Sequence, residues 1–330
     1  MRKFIPPLLI VLLLVVFSLA GCSNSSVVVT DPVTLVPNKA NLLGLIDITS
    51  ILQDKNLTGI YDKIPKNTSY PNTFNDALSK LKDEYNIDLM GFQEGLFFAE
   101  VSGSGSQGNY SGAIIEGTFN KSDLIAAIQS ASGAELTTIK YKDFDIYTGK
   151  LQGSAIAFLD ANTLVIGEMQ PVKDVIDVKV GDAKALSGEA LDTYNQLGSA
   201  LIKLAIVVPP GISEGQLGQS ASQLLGNLSA FDKVKTVGMS LSKSGGSVAL
   251  NLKLCTTDSD SAQSVEQNIN SLITFAKFVT GTSSNQQQKQ TLNTLLNNIK
   301  VTRSDTCVNV NITATLSQIE GLIQGSGQSA

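Results

Sequence analysis

The 330-residue chain carries 24 Lys and Arg against 29 Asp and Glu, a formal net charge of −5, and it contains no His and no Trp. The missing imidazole excludes Ser-His-Asp and Cys-His catalysis, histidine metal ligation and imidazole pH switching, while the acidic balance disfavours nucleic acid and anionic headgroups as partners. Arg2 and Arg303 are the only arginines, so bidentate capture of phosphate or carboxylate is nearly closed to the chain as well. What remains for chemistry is Asp, Glu, Lys, Ser, Thr and Tyr, and the expectation is a non-enzyme with no cofactor and no metal.

Arg2 and Lys3 precede an apolar run at residues 8–17, which is shorter than the roughly 20 residues a membrane-spanning helix needs. The run ends in Leu19-Ala20-Gly21-Cys22. Placed behind such a run, this tetrad resembles the lipobox of bacterial lipoproteins. The resemblance implies a signal peptide at residues 1–21, cleavage before Cys22, diacylglycerol on its sulfur and often a further acyl chain on the new amino group. Two acyl chains anchor a protein stably where one binds marginally. The implied address is the cell envelope, lipid-anchored outside the cytoplasmic membrane or on the outer membrane. Ser23 in place of Asp after the cysteine favours the outer membrane in a two-membrane cell. Loss of residues 1–21 removes Arg2 and Lys3 and takes the net charge to −7.

Residues 22–37 read as the lipidated cysteine and a flexible tether with Pro32 and Pro37. Val36-Pro37 and Ala40-Asn41, followed by a buried strand at 42–48, resemble the opening of some uncharacterised surface lipoproteins of bacteria and archaea; the resemblance implies no activity. Phe74, Ala77, Leu78, Leu81 and Tyr85 keep the spacing of one helical stripe, predicting a helix over 74–85. Residues 95–119 read as a hairpin about a Gly/Ser-rich turn. If it folds symmetrically about Gly108, Glu100 and Glu116 face each other across the strands, a carboxylate pair that would hold a proton or cation, or serve a hydrolase. The turn, Gly103-Ser104-Gly105-Ser106-Gln107-Gly108, matches a dinucleotide-binding pattern as text. A strand rather than a helix follows it, so no nucleotide is expected. A helix at 122–132 stopped by Gly133, strands at 141–148, 154–160 and 163–168, and a helix opened by Pro171 and ending near Gly181 complete the first series.

The second series begins with a hairpin at 236–256 about residues 243–246. Ser240-Leu241-Ser242-Lys243 and Lys243-Ser244-Gly245 resemble penicillin-binding enzyme motifs, but the two share a lysine on a strand, where no nucleophile opens a helix. Asp258 and Asp260 read as caps for a long helix whose stripe is Ala262, Val265, Ile269, Leu272, Ala276 and Val279, with Gly281 as its stop. Strands at 300–303 and 306–313 and a short helix near 316–323 follow. With Cys22 lipidated, Cys255 and Cys307 form an even pair. Alternation puts both on the polar faces of their strands, opposite Val248, Leu250, Leu252 and Leu254 in one and Val308, Val310 and Ile312 in the other. A structural disulfide is the expectation. Separate thiols and a redox pair are the alternatives, and the latter lacks Cys-x-x-Cys spacing.

Hairpin, helix, strands, helix thus occurs twice. The predicted fold is α+β, antiparallel sheets with helices on one face, built as two diverged repeats at 38–185 and 186–330; a single irregular α+β domain is the alternative. The expected function is a non-catalytic role, binding an apolar ligand or another envelope protein while the membrane is held through the lipid on Cys22. A scaffolding surface protein that binds a partner chain is the alternative reading, and a hydrolase using Glu100 and Glu116 is a third.

Overall fold

The computed structural model describes residues 31–64, 71–102, 110–132, 135–149, 154–210, 231–281 and 286–326. It is α+β, and the strand pairs given below are antiparallel throughout. Two compact units are present. Among the described residues the first comprises those within 31–62, 71–100 and 110–187, and the others form the second.

Unit 1 opens with a 3-10 turn, Pro32–Leu35, capped by the Asp31 carboxylate, which accepts from the Val33 amide. β1 (Leu42–Asp47) leads into α1 (Ile48–Gln53), α2 (Lys55–Lys63) and α3 (Phe74–Tyr85). α3 spans the predicted residues because both ends are specified locally. Thr73 Oγ1 accepts from the Asp76 amide at 3.0 Å, the Asp76 carboxylate accepts from the Thr73 amide at 3.2 Å, and Asn86 ends the helix in the left-handed region at φ 53°. β2 (Phe92–Ala99) and β3 (Ser111–Gly117) form the first hairpin, followed by α4 (Lys121–Ser132). β4 (Thr137–Tyr141), β5 (Phe144–Thr148), β6 (Ser154–Phe158), β7 (Thr163–Glu168) and α5 (Met169–Lys179) complete the unit.

The strand order is β1-β2-β3-β7-β6-β5-β4. Pairing aligns Leu45, Leu96, Ile114, Val165, Ala157 and Ile146 in one row across six strands, and every member is buried. α5 packs on β3, β6 and β7 with Val172, Val175 and Ile176 fully enclosed; each such side chain contributes about 1.5–3 kcal/mol of burial. Two phenols pin the same helix. Tyr110 Oη donates to Asp174 at 2.9 Å, and Tyr141 Oη donates to Asp177 at 2.9 Å. Burial, with that hydrogen bond second, raises the Tyr110 pKa, so the group stays a donor at any physiological pH.

Gly44 is required by its cross-strand partner Phe97, whose ring lies across it; a Cβ there would fall 1.7–2.4 Å from three ring atoms. Gly44→Val is expected to cost about 2 kcal/mol by overpacking. Denaturant titration measures it, and Phe97→Ala in the same chain should recover part of the loss because the two side chains are coupled.

Unit 2 consists of α6 (Glu189–Asn195), β8 (Ile202–Val207), the hairpin β9 (Val234–Ser244) and β10 (Ser247–Thr256), α7 (Ser259–Gly281), α8 (Gln286–Asn297), the hairpin β11 (Lys300–Ser304) and β12 (Cys307–Thr315), and α9 (Leu316–Ser326). Its strand order is β8-β9-β10-β12-β11. Its core joins Val234, Leu254, Val308 and Val310 of the strands to Ala262 and Val265 of α7, with Leu252, Ile269, Val301 and Ile312 packed around them. α6 meets the opposite face. A Cβ on Gly238 would come within 3.1 Å of Thr193, and Lys203 Nζ lies 3.8 Å from the Tyr194 ring centre. Helical cover on the second face was absent from the sequence pattern.

The two units share a topology. In each, a lone strand (β1 or β8) pairs with a hairpin (β2-β3 or β9-β10), a helix follows (α4 or α7), and the last strand (β7 or β12) returns to lie antiparallel beside the second hairpin strand, ending in a helix (α5 or α9). Unit 1 adds β4 and β5. Of the predicted strand at 141–148 only 144–148 is β5; Tyr141 ends β4, and the hairpin between them turns at Lys142 with φ 53°. β4 is almost wholly exposed, so it carries no buried alternation for a sequence pattern to show.

Candidate functional site

The residues singled out by sequence fall in different places. Cys22 lies outside the described residues, as do the Gly103–Gly108 turn and Gly133. Cys255 and Cys307 form the disulfide. They are direct cross-strand partners on β10 and β12, with S–S 2.10 Å and Cα–Cα 4.0 Å, and they close a loop of 52 residues containing α7, α8 and β11. Both sulfurs lie on the sheet face opposite Leu254 and Val308, in the same alternation as Asn251 and Asn311, which are hydrogen-bonded to each other.

The carboxylate pair is corrected. Ala99 pairs with Ser111, and the Glu100 amide donates to the Tyr110 carbonyl at 3.0 Å, so the hairpin register is not centred on Gly108. Glu116 instead faces Glu94, while Glu100 is exposed. A shift in the turn moves every partner, and the turn residues carry no apolar pattern that could set the register beforehand. Glu116 is only 5% exposed. Burial first, then the nearby carboxylates of Glu94, Asp31 and Asp160, push its pKa up to about 7. No group of three or more His, Cys, Asp or Glu side chains among the described residues is arranged to hold a metal ion. Glu116 is a protonatable buried acid, and the two-carboxylate hydrolase geometry built on Glu100 and Glu116 is not formed.

Ser240 sits mid-strand in β9 and is buried, with Asn251 Nδ2 donating to its Oγ at 3.5 Å; it opens no helix. Asp258 caps α7 as expected, its carboxylate accepting from the Ser261 amide at 2.8 Å. That bond first, then side-chain bonds from Ser261 and Thr257, lowers its pKa.

The surface feature that stands apart was not singled out in the sequence. α7 buries Ala262 and Val265 completely, but its second half carries more apolar residues than one stripe holds: Leu272, Ile273, Phe275, Ala276, Phe278 and Val279. A helix can turn only one stripe to a sheet, so the others face outward. Phe275 is 63% exposed, Phe278 72% and Val279 48%. Val279 therefore leaves the buried stripe predicted for it, because the helix runs past the core at this end. Asn270, Ser271, Thr274, Phe275 and Phe278 line an open depression of about 560 Å³. The signal that finds this patch in a sequence is a second apolar stripe on a helix whose first stripe already accounts for its packing.

No protein-family model matches the chain, and no curated protein matches it. The fold does have solved counterparts. The chain is similar to crystal form III of TP0453 with a TM-score of 0.50 at 9% identity, covering 90% of this chain and 99% of that chain. Crystal form I of TP0453 gives 0.47 at 10% identity over 90% and 98% of the two chains, and crystal form IV gives 0.49 at 10% over 89% and 96%. At such identities the likeness concerns the fold alone.

Proposed function

We propose that this protein is a lipid-anchored, extracytoplasmic envelope protein with a non-catalytic role, and that its contact surface is the C-terminal half of α7. The observation that carries the reading is the pair of exposed rings, Phe275 and Phe278, beside Val279. An apolar group of this kind held in water marks an interaction surface, since scattered single exposures are the ordinary case for a folded chain. The depression beside it is open, which favours contact with a surface over enclosure of a small ligand. The Leu19-Ala20-Gly21-Cys22 tetrad supports the anchor, and the Cys255–Cys307 disulfide suits an oxidising compartment.

Two measurements test the reading. A Cys22→Ser chain should leave the membrane fraction once its signal is cleaved, and retention there would overturn the anchor. A photoreactive phenylalanine analogue at position 278 should cross-link to an envelope component, lipid or protein, while the same analogue at the exposed Thr302 should not. Equal, background-level labelling at both positions would remove α7 as the contact surface.

A further inference from the structure

Building on the contact surface assigned above, we propose that the patch on α7 is occupied by the interface of the bilayer that holds the chain's own lipid. Phe275, Phe278 and Val279 insert at the headgroup–acyl boundary.

Three observations select a bilayer over a partner chain. The first is area. Phe275, Phe278 and Val279, exposed at 63%, 72% and 48%, offer roughly 350 Å², whereas a stable, specific protein interface buries about 800 Å² on each partner. A small apolar patch suffices for a bilayer when a tether already holds the protein there. Only eight residues, Ser23 to Thr30, separate Cys22 from Asp31, a reach of at most about 30 Å. The patch then acts intramolecularly, at an effective concentration set by that tether, and needs little affinity of its own.

The second is charge. The chain as a whole is acidic, yet residues 267–302 contain Lys277, Lys289 and Lys300 and no Asp or Glu; Arg303, which follows, is paired with Glu266. Lys277 is exposed between the two rings in sequence. The average charge of the protein repels anionic headgroups, but this segment does not; Phe with Lys and no acid, as in α7 beyond Glu266, is the composition of a helical segment lying in a membrane interface. The third is the remainder of the lining. Asn270, Ser271 and Thr274 are uncharged, so they meet the headgroup layer at far lower desolvation cost than ionised side chains. The helix lies on the membrane and does not cross it: no described helix is long and apolar enough to span.

The absence of Trp from the chain supplies the test. The full lipidated protein carrying Phe278→Trp, reconstituted into phosphatidylcholine–phosphatidylglycerol vesicles, has a single tryptophan at the patch. Its emission should shift to the blue and be quenched by lipids brominated near the headgroup more than by lipids brominated at the chain ends. Thr302→Trp, on the sheet face opposite α7, should stay water-like and unquenched. Adding Lys277→Glu to Phe278→Trp should reduce quenching on anionic vesicles more than on phosphatidylcholine alone. Because positions 277 and 278 are exposed, the variants should keep the disulfide and the fold, which thiol titration and circular dichroism verify. A blue-shifted but unquenched indole in the Phe278→Trp protein means that protein covers the patch: the bilayer inference falls and the contact surface stands. A water-like, unquenched indole in vesicles overturns the inference, and the same result in native envelopes takes the contact surface with it.

Discussion

A Cys255→Ala/Cys307→Ala chain is expected to unfold at markedly lower denaturant concentration than the wild type, with unit 2 losing about 4 kcal/mol of stability. The magnitude follows from the 52-residue separation, because the cross-link removes loop-closure entropy from the unfolded chain in proportion to the logarithm of the loop length. The closed loop holds α7, α8 and β11, so without the bond the unfolded chain samples all arrangements of a segment that contributes Ala262 and Val265 to the core. The native sheet loses little, since β10 and β12 remain paired from Ser247↔Thr315 to Leu254↔Val308. The wild type in strong reductant should show the same shift. Equal midpoints for oxidised, reduced and substituted chains would show that the bond adds nothing to folding. Because α7 lies within the loop that the bond closes, the reduced protein should also show faster hydrogen exchange along residues 259–281.

Glu116→Gln is expected to stabilise the protein above neutral pH and to leave it unchanged in acid. Glu116 is raised from an ordinary value of 4.5 to about 7 by burial and by Glu94, Asp31 and Asp160. A carboxyl whose folded pKa lies above its unfolded one favours the folded state in its protonated form. Its contribution is therefore complete below about pH 4.5, declines as the unfolded chain ionises, and is lost as the pH rises through about 7. Above that pH the wild type holds a nearly enclosed carboxylate near three others, of which Asp31 and Asp160 are exposed. The amide removes that charge and can donate to Glu94, its cross-strand partner. The gain at pH 8 should be on the order of 2 kcal/mol, reduced from the full linkage value because the neighbouring acids keep some access to solvent. Urea titrations of both chains at pH 4.5, 6 and 8 measure it. A constant difference across that range would mean that folding does not raise the Glu116 pKa. Glu100→Gln, on an exposed residue outside this acidic cluster, should leave all three midpoints in place.

Much of the fold could be read in advance where local chemistry and burial coincide. Thr73, Asp76 and Asn86 specify both ends of α3, and Ala77 and Leu81 supply its buried stripe. The hairpin β9-β10 shows in the alternation of Val248, Leu252 and Leu254, with Gly245 in the left-handed region at the turn, φ 57°. Elements without such a signature were missed. β4 is exposed except at Tyr141. α8 begins in a run of glutamines, Gln286-Gln287-Gln288, that reads as loop. α6 and β8 lie between the two series, and their place is set by packing on β9 through Thr193 and Leu197 around Gly238.

The candidate site divides the same way. The sequence by itself pointed to the cysteine pairing: with Cys22 set aside by the lipobox resemblance, two cysteines remain, each on the polar face of its strand, and the structure joins them. The sequence also determined the antiparallel α+β class, since periods of two and of 3.6 are local properties of a chain. Only the tertiary structure decided which carboxylates meet and which apolar residues stay uncovered. The partner of Glu116 depends on strand register, and register is set by the turn and by burial across the whole sheet; one shift exchanged Glu100 for Glu94. The exposure of Phe275 and Phe278 depends on where α7 outruns the core formed by Val234, Leu254, Val308 and Val310. A helix's own sequence counts its apolar stripes but does not say how many surfaces there are to receive them.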